Sequence, residues 1–433
     1  MSLSEAQAEH ASAATETIAA ISTPPGRGGI GIVRLSGPDA ASIAAQLVGL
    51  RQPLEHAHAR LAEVLDDAEA DPSVNSATRI DEALVTYFAA PNSYTAEDLV
   101  EIAAHGSPVV LDLLLRRALA LGARLAEPGE FTQRAFLAGK IDLTQAEAVS
   151  DLIEAQTLTQ ARQAASQMGG ALSRRVQPLK QQLVELIALL EAGIDFAEDD
   201  VDVTSGDEIA RRIAELDPPL AALEASFARG RIVHDGLTLA IVGRPNAGKS
   251  SLFNRLVERD RAIVTATPGT TRDLVTERIA LEGIPLELVD TAGLREALEE
   301  AELMGIARSR EAFADAAIVL IVLDAMQPLN EEEHELFAAA EGRPTVIALN
   351  KCDLLAKNDG LAAAHTGPAL PASAPPALRT SALTGEGIAE LRAQILALAT
   401  GGAAAEPGPL TSLRHQKAIS TARAALADAA QAN

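Results

Sequence analysis

The sequence predicts a multidomain protein with an α+β N-terminal region, an all-helical region and an α/β region. The chain has 433 residues, which is too long for one ordinary core. Short β-like runs alternate with helical stretches up to about residue 135, and apolar residues then recur at helical spacing. From residue 236 to about residue 400, strands and helices alternate regularly. These changes of period set the predicted boundaries at residues 17–135, 136–235 and 236–400.

Composition restricts the class of protein. Apolar residues make up 48% of the chain, and no window approaches about 18 continuous apolar residues, so no membrane span is expected. The one cysteine, Cys352, excludes an internal disulfide and a multi-cysteine zinc site, and a reducing cytoplasm is the simplest fit. The formal net charge of −24 argues against unaided tight binding to nucleic acid, because an acidic chain repels phosphate.

The N-terminal region supplies the α+β pattern. Residues 1–16 carry no basic segment, so they are predicted to be a disordered leader and not a secretory signal. The β-like runs and the helical run that follows them are Ile30–Leu35, Ala83–Phe88, Leu99–Ala103 and Pro108–Leu121.

The helical region follows from Asp142. Apolar residues between Leu179 and Leu190 repeat every three to four positions, as on one face of an amphipathic helix. The acidic stretch Asp195–Asp207 is interpreted as a solvated loop or helix end, because its spacing does not match a calcium loop. Three further segments are a helix at Glu208–Gly230, a link at Gly401–Pro409 and a last helix at Thr411–Ala432.

The α/β region opens with the apolar strand Leu237–Val242, and the string GRPNAGKS follows at Gly243–Ser250. Glycines in such a loop let successive backbone N–H groups point at phosphate oxygens. The N–H groups predicted to do so include those of Asn246, Ala247 and Gly248. Lys249 would reach the β and γ phosphates, and the Ser250 hydroxyl would bind Mg²⁺. Ser251 continues the helix whose N-terminus favours anions. The sequence therefore predicts a nucleotide phosphate loop.

Two later segments fit the γ-phosphate and its metal ion. In Gly269–Asp273, Thr271 is the candidate second protein ligand of Mg²⁺, although the segment taken alone is better explained as an ordinary loop. Asp290 ends a predicted strand and could hold Mg²⁺ through water, and the Gly293 N–H could contact the γ-phosphate. The strands Val275–Leu281 and Ile284–Val289 are predicted to form a hairpin.

Two more segments fit the base. Asp353, in Asn350-Lys351-Cys352-Asp353, could accept hydrogen bonds from the ring N–H and the exocyclic amine of guanine, which adenine does not present in that pattern. Ser381-Ala382 would support the guanine with a main-chain N–H. Because all five motifs occur in one order at the ends of predicted strands, the region resembles the translation-factor-related class of GTPase domains. An irregular stretch, residues 357–378, is predicted to be a surface loop.

One departure concerns the attacking water. Leu294 follows the Asp-x-x-Gly motif, where many switch GTPases have a water-orienting glutamine, so another group must position the water. Glu299, Glu300 and Glu302 lie downstream, and their spacing alone favours a solvated helix face. The phosphate loop also carries Asn246, whose side-chain oxygen could hold a monovalent cation, such as potassium, against the phosphates.

Three long strings identify a family. TIAAISTPPGRGGIGIVRLSG (Thr17–Gly37), PNSYTAEDLVEIAAHG (Pro91–Gly106) and EPGEFTQRAFLAGKIDLTQAEAVSDLIEA (Glu127–Ala155) resemble the MnmE/TrmE family of tRNA-modification GTPases. The resemblance runs from about residue 17 to about residue 420. It implies a folate-binding, dimer-forming N-terminal domain and a helical domain of residues 136–235 plus 405–433, into which a P-loop GTPase domain at residues 236–400 is inserted.

The same resemblance implies an activity and its partners. Members of the family act on tRNA as homodimers with the FAD-dependent MnmG/GidA protein, in a heterotetramer. Together they add an aminomethyl or carboxymethylaminomethyl group to C5 of the wobble uridine, using a 5,10-methylene or formyl tetrahydrofolate derivative. GTP hydrolysis, with Mg²⁺ and K⁺, drives domain rearrangement.

The family's functional residues transfer by motif. Arg34, Glu101 and Lys140 would contact the folate. Potassium is assigned to Asn246, Thr265, Thr270 and the main chain of Thr267, and Glu302 would position the catalytic water through a second water.

Two departures from the family pattern are expected to matter differently. His105-Gly106-Ser107 replaces His-Gly-Gly and is interpreted as a tolerated turn change. The family ends in Cys-Ile-Gly-Lys, and this sequence stops at Asn433 without that motif. We expect GTP hydrolysis to survive this difference, and the sequence leaves open whether tRNA modification does.

Two alternatives remain at this stage. A regulatory or ribosome-assembly GTPase would share the phosphate loop, but such proteins usually append a basic RNA-binding domain after the guanine loop. A folate-binding scaffold with a vestigial GTPase domain is the other.

Overall fold

The computed structural model describes residues 16–50, 52–66, 78–195, 205–257, 276–290, 316–357, 368–401 and 411–432. The chain divides into two compact units, Met1–Val149 and Ser150–Asn433. Each unit has a β-sheet and its own buried core.

The first unit is built on a seven-stranded sheet in the order β3-β4-β5-β6-β2-β1-β7. Neighbouring strands are antiparallel, except that β1 and β7 are parallel. The strands are β1 (Ile18–Ile21), β2 (Gly28–Ser36), β3 (Val48–Gly49), β4 (Ala59–Asp66), β5 (Thr78–Phe88), β6 (Leu99–Gly106) and β7 (Arg124–Leu125).

Three helices of this unit are α1 (Ala40–Leu47), α2 (Pro108–Ala120) and α3 (Glu130–Leu137), and α4 (Leu143–Glu154) follows. Alternate residues of the central strands are buried against α1 and α2; Val33 and Val100 have no exposed surface. Arg34 and Glu101 stand between such residues and lie on the opposite face of the sheet. The predicted β-like runs and the predicted helix at residues 108–121 are confirmed, with β2 and β5 longer than expected.

The second unit contains the long helices. They are α5 (Leu158–Met168), α6 (Ala171–Asp195), α7 (Gly206–Asp235) and α12 (Leu413–Ala432). An apolar core shared by α6, α7 and α12 is formed by Leu172, Leu220, Leu223, Phe227 and Ile419. The predicted helices are confirmed, and α7 begins before Glu208 and ends after Gly230. The acidic segment predicted as a loop lies mostly outside the described residues.

The second unit also contains a six-stranded sheet in the order β13-β12-β11-β8-β10-β9. All neighbouring strands are parallel except the hairpin β9–β10. The strands are β8 (Leu237–Val242), β9 (Thr276–Leu281), β10 (Ile284–Asp290), β11 (Ile318–Asp324), β12 (Thr345–Asn350) and β13 (Ala377–Arg379).

The helices of this α/β part are α8 (Lys249–Val257), α9 (Glu331–Ala339), α10 (Cys352–Lys357) and α11 (Ile388–Thr400). Two separate apolar clusters pack on the two faces of the sheet, which is why all of β11 is buried. The predicted strand at residues 237–242, the hairpin and the α/β class are confirmed. Of the predicted loop at residues 357–378, residues 358–367 lie outside the described part.

Among the described residues, no helix is both long enough and apolar enough to span a membrane.

Candidate functional site

The candidate nucleotide site lies where three parallel strands end. β8, β11 and β12 are adjacent, and their carboxyl ends lead into the loops that begin at Gly243, Ala325 and Lys351. In an open parallel sheet, ligands bind outside these carboxyl ends. The fold therefore gathers the predicted phosphate and base loops at one edge.

The phosphate loop after β8 depends on two glycines. Gly243 has φ of 147°, and a Cβ there would lie closer than 3.0 Å to the main-chain oxygen of Val322 on β11. Gly248 has φ of 92°, and a Cβ there would lie closer than 3.0 Å to the side-chain nitrogen of Asn350. Both positions combine a left-handed backbone with close packing, which excludes other residues. Asn246 also has a positive φ, of 62°.

Lys249 occupies the mouth of this loop. Its side chain is 6% exposed, and Nζ donates hydrogen bonds of 2.8 Å to the main-chain oxygens of Gly243 and Arg244. The loop thus holds a buried ammonium group where phosphate oxygens would compete for its protons. Ser250 and Ser251 lie exposed in the first turn of α8, and Arg244 pairs with buried Glu333 of α9 at 3.4 Å.

Asn350 ties three loops together. Its Nδ2 donates to the main-chain oxygen of Ala247 at 3.0 Å, and its Oδ1 accepts from the Ala382 N–H at 3.1 Å. Asn350 is 1% exposed; its hydrogen bond to Ala247 is buried, and the one from Ala382 is partly buried. The phosphate loop, the Asn350–Asp353 segment and the Ser381–Ala382 segment therefore share one side chain.

The base-facing residues are oriented by two further contacts. Lys351 has φ of 65°, and its Nζ lies 2.8 Å from Oδ2 of Asp324. The Ser381 hydroxyl donates to Oδ1 of Asp353 at 2.6 Å. Asp324 was missed by sequence reasoning, although its signal was available: a carboxylate that ends an apolar run, like Asp290. Its role here is to orient Lys351.

Cys352 lies within this segment but has a structural role. It is 1% exposed, and its N–H donates to the main-chain oxygen of Thr380 at 3.1 Å. Burial raises the pKa of its thiol, so the thiolate is scarce at neutral pH.

The residues predicted to act on the γ-phosphate and metal ions are partly described. Ser250 is the second residue of α8, and the Asp290 backbone pairs with Ile241 of β8, two residues before Gly243. Hydroxyl and carboxylate oxygens are donors that suit Mg²⁺, so these two residue types fit that ion. The other predicted residues lie outside the described part of the chain: Thr265, Thr267, Thr270, Thr271, Gly293 and Glu302.

A second candidate site lies on the first unit. Arg34 of β2 and Glu101 of β6 are direct register partners, and Arg34 Nε and Nη2 donate to Glu101 Oε1 at 3.0 and 2.6 Å. The Arg34 guanidinium also lies 5.9 Å from the ring centre of Tyr94 and 5.5 Å from that of Phe131. These contacts fix the guanidinium between a carboxylate and two aromatic rings.

Lys140, the third residue predicted for this site, contacts it through a loop. Its Nζ donates to the main-chain oxygens of Pro91, at 3.3 Å, and of Ser93. The same loop carries Tyr94, whose hydroxyl is 2.9 Å from that of Thr132. The structure therefore brings Arg34 and Glu101 together, while Lys140 holds the backbone of the segment that presents Tyr94.

Family models match both units. The model described as GTP-binding protein TrmE N-terminus matches residues 17–140, and the MnmE helical domain model matches residues 143–433. The second match begins before the α/β part and ends after it.

Curated relatives match over nearly the whole chain. A protein of Koribacter versatilis named tRNA modification GTPase MnmE is 56% identical over 422 residues, covering 96% of this chain and 89% of the relative. A protein of Thiobacillus denitrificans with the same name is 42% identical over 407 residues, covering 94% and 86%. The crystal structure of the G domain of the T. maritima FeoB iron transporter is 28% identical and covers 38% of this chain and 98% of that one, with a TM-score of 0.27.

The Asn350 bridge gives a first prediction. Asn350→Ala removes a donor and an acceptor from a side chain that is 1% exposed, and each such loss at a buried group costs about 1–3 kcal/mol. We expect the affinity for a fluorescent GDP analogue, measured by titration, to fall by about a hundredfold. Gln181→Ala is the control, because that amide lies on the exposed surface of α6 and donates to Glu185 of the same helix. Unchanged affinity in Asn350→Ala would contradict the bridge.

The Lys140 contacts give a second prediction. Lys140→Met keeps the side-chain length but removes the donor to Pro91 and Ser93, so amides of residues 92–98 should exchange faster with deuterium. Amides in β2 and β6 should keep their protection. Lys180→Met, on an exposed face of α6, is the control and should change neither segment. Amide exchange of residues 92–98 at the wild-type rate would show that Lys140 does not hold this loop.

Proposed function

The chain belongs to the MnmE family of tRNA modification GTPases, and we propose that it couples GTP hydrolysis to modification of the tRNA wobble uridine. The observation that carries the proposal is the 56% identity to a named tRNA modification GTPase across 96% of the chain. The two hydrogen bonds of Asn350 also support it, because one buried side chain joins the phosphate loop to the base loops of this chain.

The base loops support guanine as the base. Asp353 carries a carboxylate whose second oxygen can accept from the guanine ring N–H and amine, while Ser381 donates to Oδ1. Hydrogen bonds to a charged group contribute about 1.5–3 kcal/mol each, so adenine would lose much of the binding energy. Lys351, oriented by Asp324, would lie along the base.

We further propose roles for the metal ions and the water. Mg²⁺ would neutralise charge on the β and γ phosphates when held by Ser250 and Thr271, with Asp290 bound through water. Asn246, Thr265, Thr270 and the main chain of Thr267 would hold K⁺. Glu302 would orient the attacking water, the task for which Leu294 is unsuited.

For the first unit we propose a folate site. Arg34, Glu101 and Lys140 would bind a 5,10-methylene or formyl tetrahydrofolate derivative, the one-carbon donor. The exposed side of the Arg34–Glu101 pair supports this, since both side chains are 27% accessible beside the aromatic ring of Tyr94. A carboxylate suits amino-pyrimidine donors, and a guanidinium suits a carboxylate tail.

The family also suggests the assembly. We propose residues 17–135 as a dimer-forming domain, residues 136–235 plus 405–433 as the helical domain and residues 236–400 as an inserted GTPase domain. The helical-domain match on both sides of the α/β part supports the insertion. We propose that the homodimer works in the cytoplasm with an FAD-dependent MnmG/GidA-type partner. The net charge of −24 favours tRNA binding through a partner or a local basic surface.

The cation mechanism gives a third prediction. At equal ionic strength, KCl should support GTP turnover about a hundredfold faster than NaCl, because the ion stabilises charge that develops on the phosphates. Glu302→Ala should abolish turnover and leave GDP affinity nearly unchanged, whereas Glu299→Ala should behave like wild type. Phosphate release measures the rates. Equal turnover in both salts would exclude the potassium mechanism.

The biological activity gives a fourth prediction. In a bacterial strain that carries this chain as its only family member, mass spectrometry of tRNA nucleosides should detect the modified wobble uridine. The Lys249→Ala variant should leave that uridine unmodified, because the phosphate loop loses its ammonium. Active GTP hydrolysis together with an unmodified uridine would exclude the tRNA activity and leave only the GTPase.

A further inference from the structure

The first residues of α5 and its N-cap contact the turn of the β9–β10 hairpin. The Thr157 hydroxyl donates to the main-chain oxygen of Gly283 at 2.8 Å and accepts from the Gln160 N–H at 3.1 Å. Thr157 is the N-cap of α5 and is only 7% exposed. One hydroxyl therefore begins the helix and fixes the turn.

Position 283 of the turn accommodates only glycine beside this end of the helix. Gly283 has φ of 88°, and a Cβ there would lie closer than 3.0 Å to both Oγ1 and Cβ of Thr159. The two threonines thus contact the turn from one side, Thr157 by a hydrogen bond and Thr159 by close packing.

The same end of α5 is anchored to the junction that leads into β8. Gln160 Nε2 donates to the main-chain oxygen of His234 at 2.8 Å, near the end of α7. The His234 ring lies 3.1 Å from Asp151 and 2.7 Å from Asp235, and the hydrogen bond to Asp151 raises the pKa of His234 to about 9. The imidazolium therefore persists at neutral pH and links α4 to α7.

The hairpin also touches that junction directly. Gly236, immediately before β8, has φ of 73°, and a Cβ there would lie 2.6 Å from the main-chain oxygen of Pro285. The turn end of β10 is therefore packed between the start of α5 and the start of β8.

The other end of β10 lies at the nucleotide site. Asp290 pairs with Ile241, two residues before Gly243. A strand rises about 3.3 Å per residue, so β10 joins the turn to the phosphate loop as a stiff element about 20 Å long. A shift of the turn along the strand axis would move Asp290 relative to the phosphates.

We propose that Thr157 and Thr159 are positioning residues for GTP hydrolysis, which hold the β9–β10 turn and thereby set the position of Asp290 beside the phosphate loop. The inference rests on the proposed GTPase activity and adds residues far from the nucleotide to it. The groups proposed to hold the phosphates and the base lie mainly in the segments that follow β8, β12 and β13, so nucleotide affinity should depend little on the turn.

The test perturbs the contact from both sides. Thr157→Val keeps the shape but removes the hydroxyl, and Gly283→Ala forces the turn away from Thr159. We expect kcat for GTP to fall about tenfold in each variant, which corresponds to about 1.4 kcal/mol of barrier. The affinity for a fluorescent GDP analogue should stay within about twofold of wild type. Thr157→Ser keeps the hydroxyl and should restore the rate.

A matched control separates positioning from loss of helix stability. Ser205→Ala removes the N-cap hydroxyl of α7, which accepts from the Glu208 N–H at 3.3 Å, and does not touch the hairpin. It should leave kcat unchanged. If Ser205→Ala lowers kcat as much as Thr157→Val, the effect is general and the inference is wrong.

Hydrogen exchange gives a readout that is independent of turnover. In wild type, amides of residues 158–168 should differ in protection between the GDP state and the state bound to a non-hydrolysable GTP analogue, because coupling is reciprocal. Gly283→Ala should abolish that difference. If wild type hydrolyses no GTP, the proposed function fails; if wild type is active and the two contact variants match it in kcat, the inference about Thr157 and Thr159 is overturned.

Discussion

The close packing of the phosphate loop against two neighbouring strands governs the nucleotide site. Gly243 lies against the main chain of β11, and Gly248 lies against the Asn350 side chain at the end of β12. Because neither position admits a side chain, the loop can approach the sheet edge closely enough for Asn350 to reach Ala247 and Ala382. The phosphate loop and the base loops are therefore held by the same side chain, and a change in the conformation of either loop would alter the other.

The two candidate sites achieve rigidity by different means. At the nucleotide site, main-chain groups are held by buried side chains, which favours a ligand rich in phosphate oxygens. On the first unit, charged side chains are held by each other and by aromatic rings: Arg34 by Glu101, Tyr94 and Phe131. That pairing is only partly buried, which leaves both charged groups accessible to a polar, flat ligand.

Sequence reasoning recovered much of the fold because the chain's periodicities are clear. The strand at residues 237–242 was predicted with its observed bounds, and the helix starting at Lys249 followed from the glycine-rich loop. It missed contacts that depend on neighbours distant in sequence. Asp324 orients Lys351 only because β11 lies beside β12, and Thr157 meets Gly283 across 126 positions. Both pairs form through tertiary proximity, which a local sequence pattern cannot express. The described partners of Lys140 are main-chain oxygens, and its contact with a ligand stays a prediction.

The burial of Cys352 has a practical consequence for following motion in this protein. The chain has one cysteine and no tryptophan, and that cysteine is 1% exposed with its thiol pKa raised by burial. The thiolate is the form that adds to maleimide reagents, so the native thiol would react slowly while the fold is intact. A single cysteine or tryptophan introduced at a surface position would therefore serve as a spectroscopic reporter. The native chain would contribute little thiol labelling and no tryptophan fluorescence, so no native residue would have to be removed first.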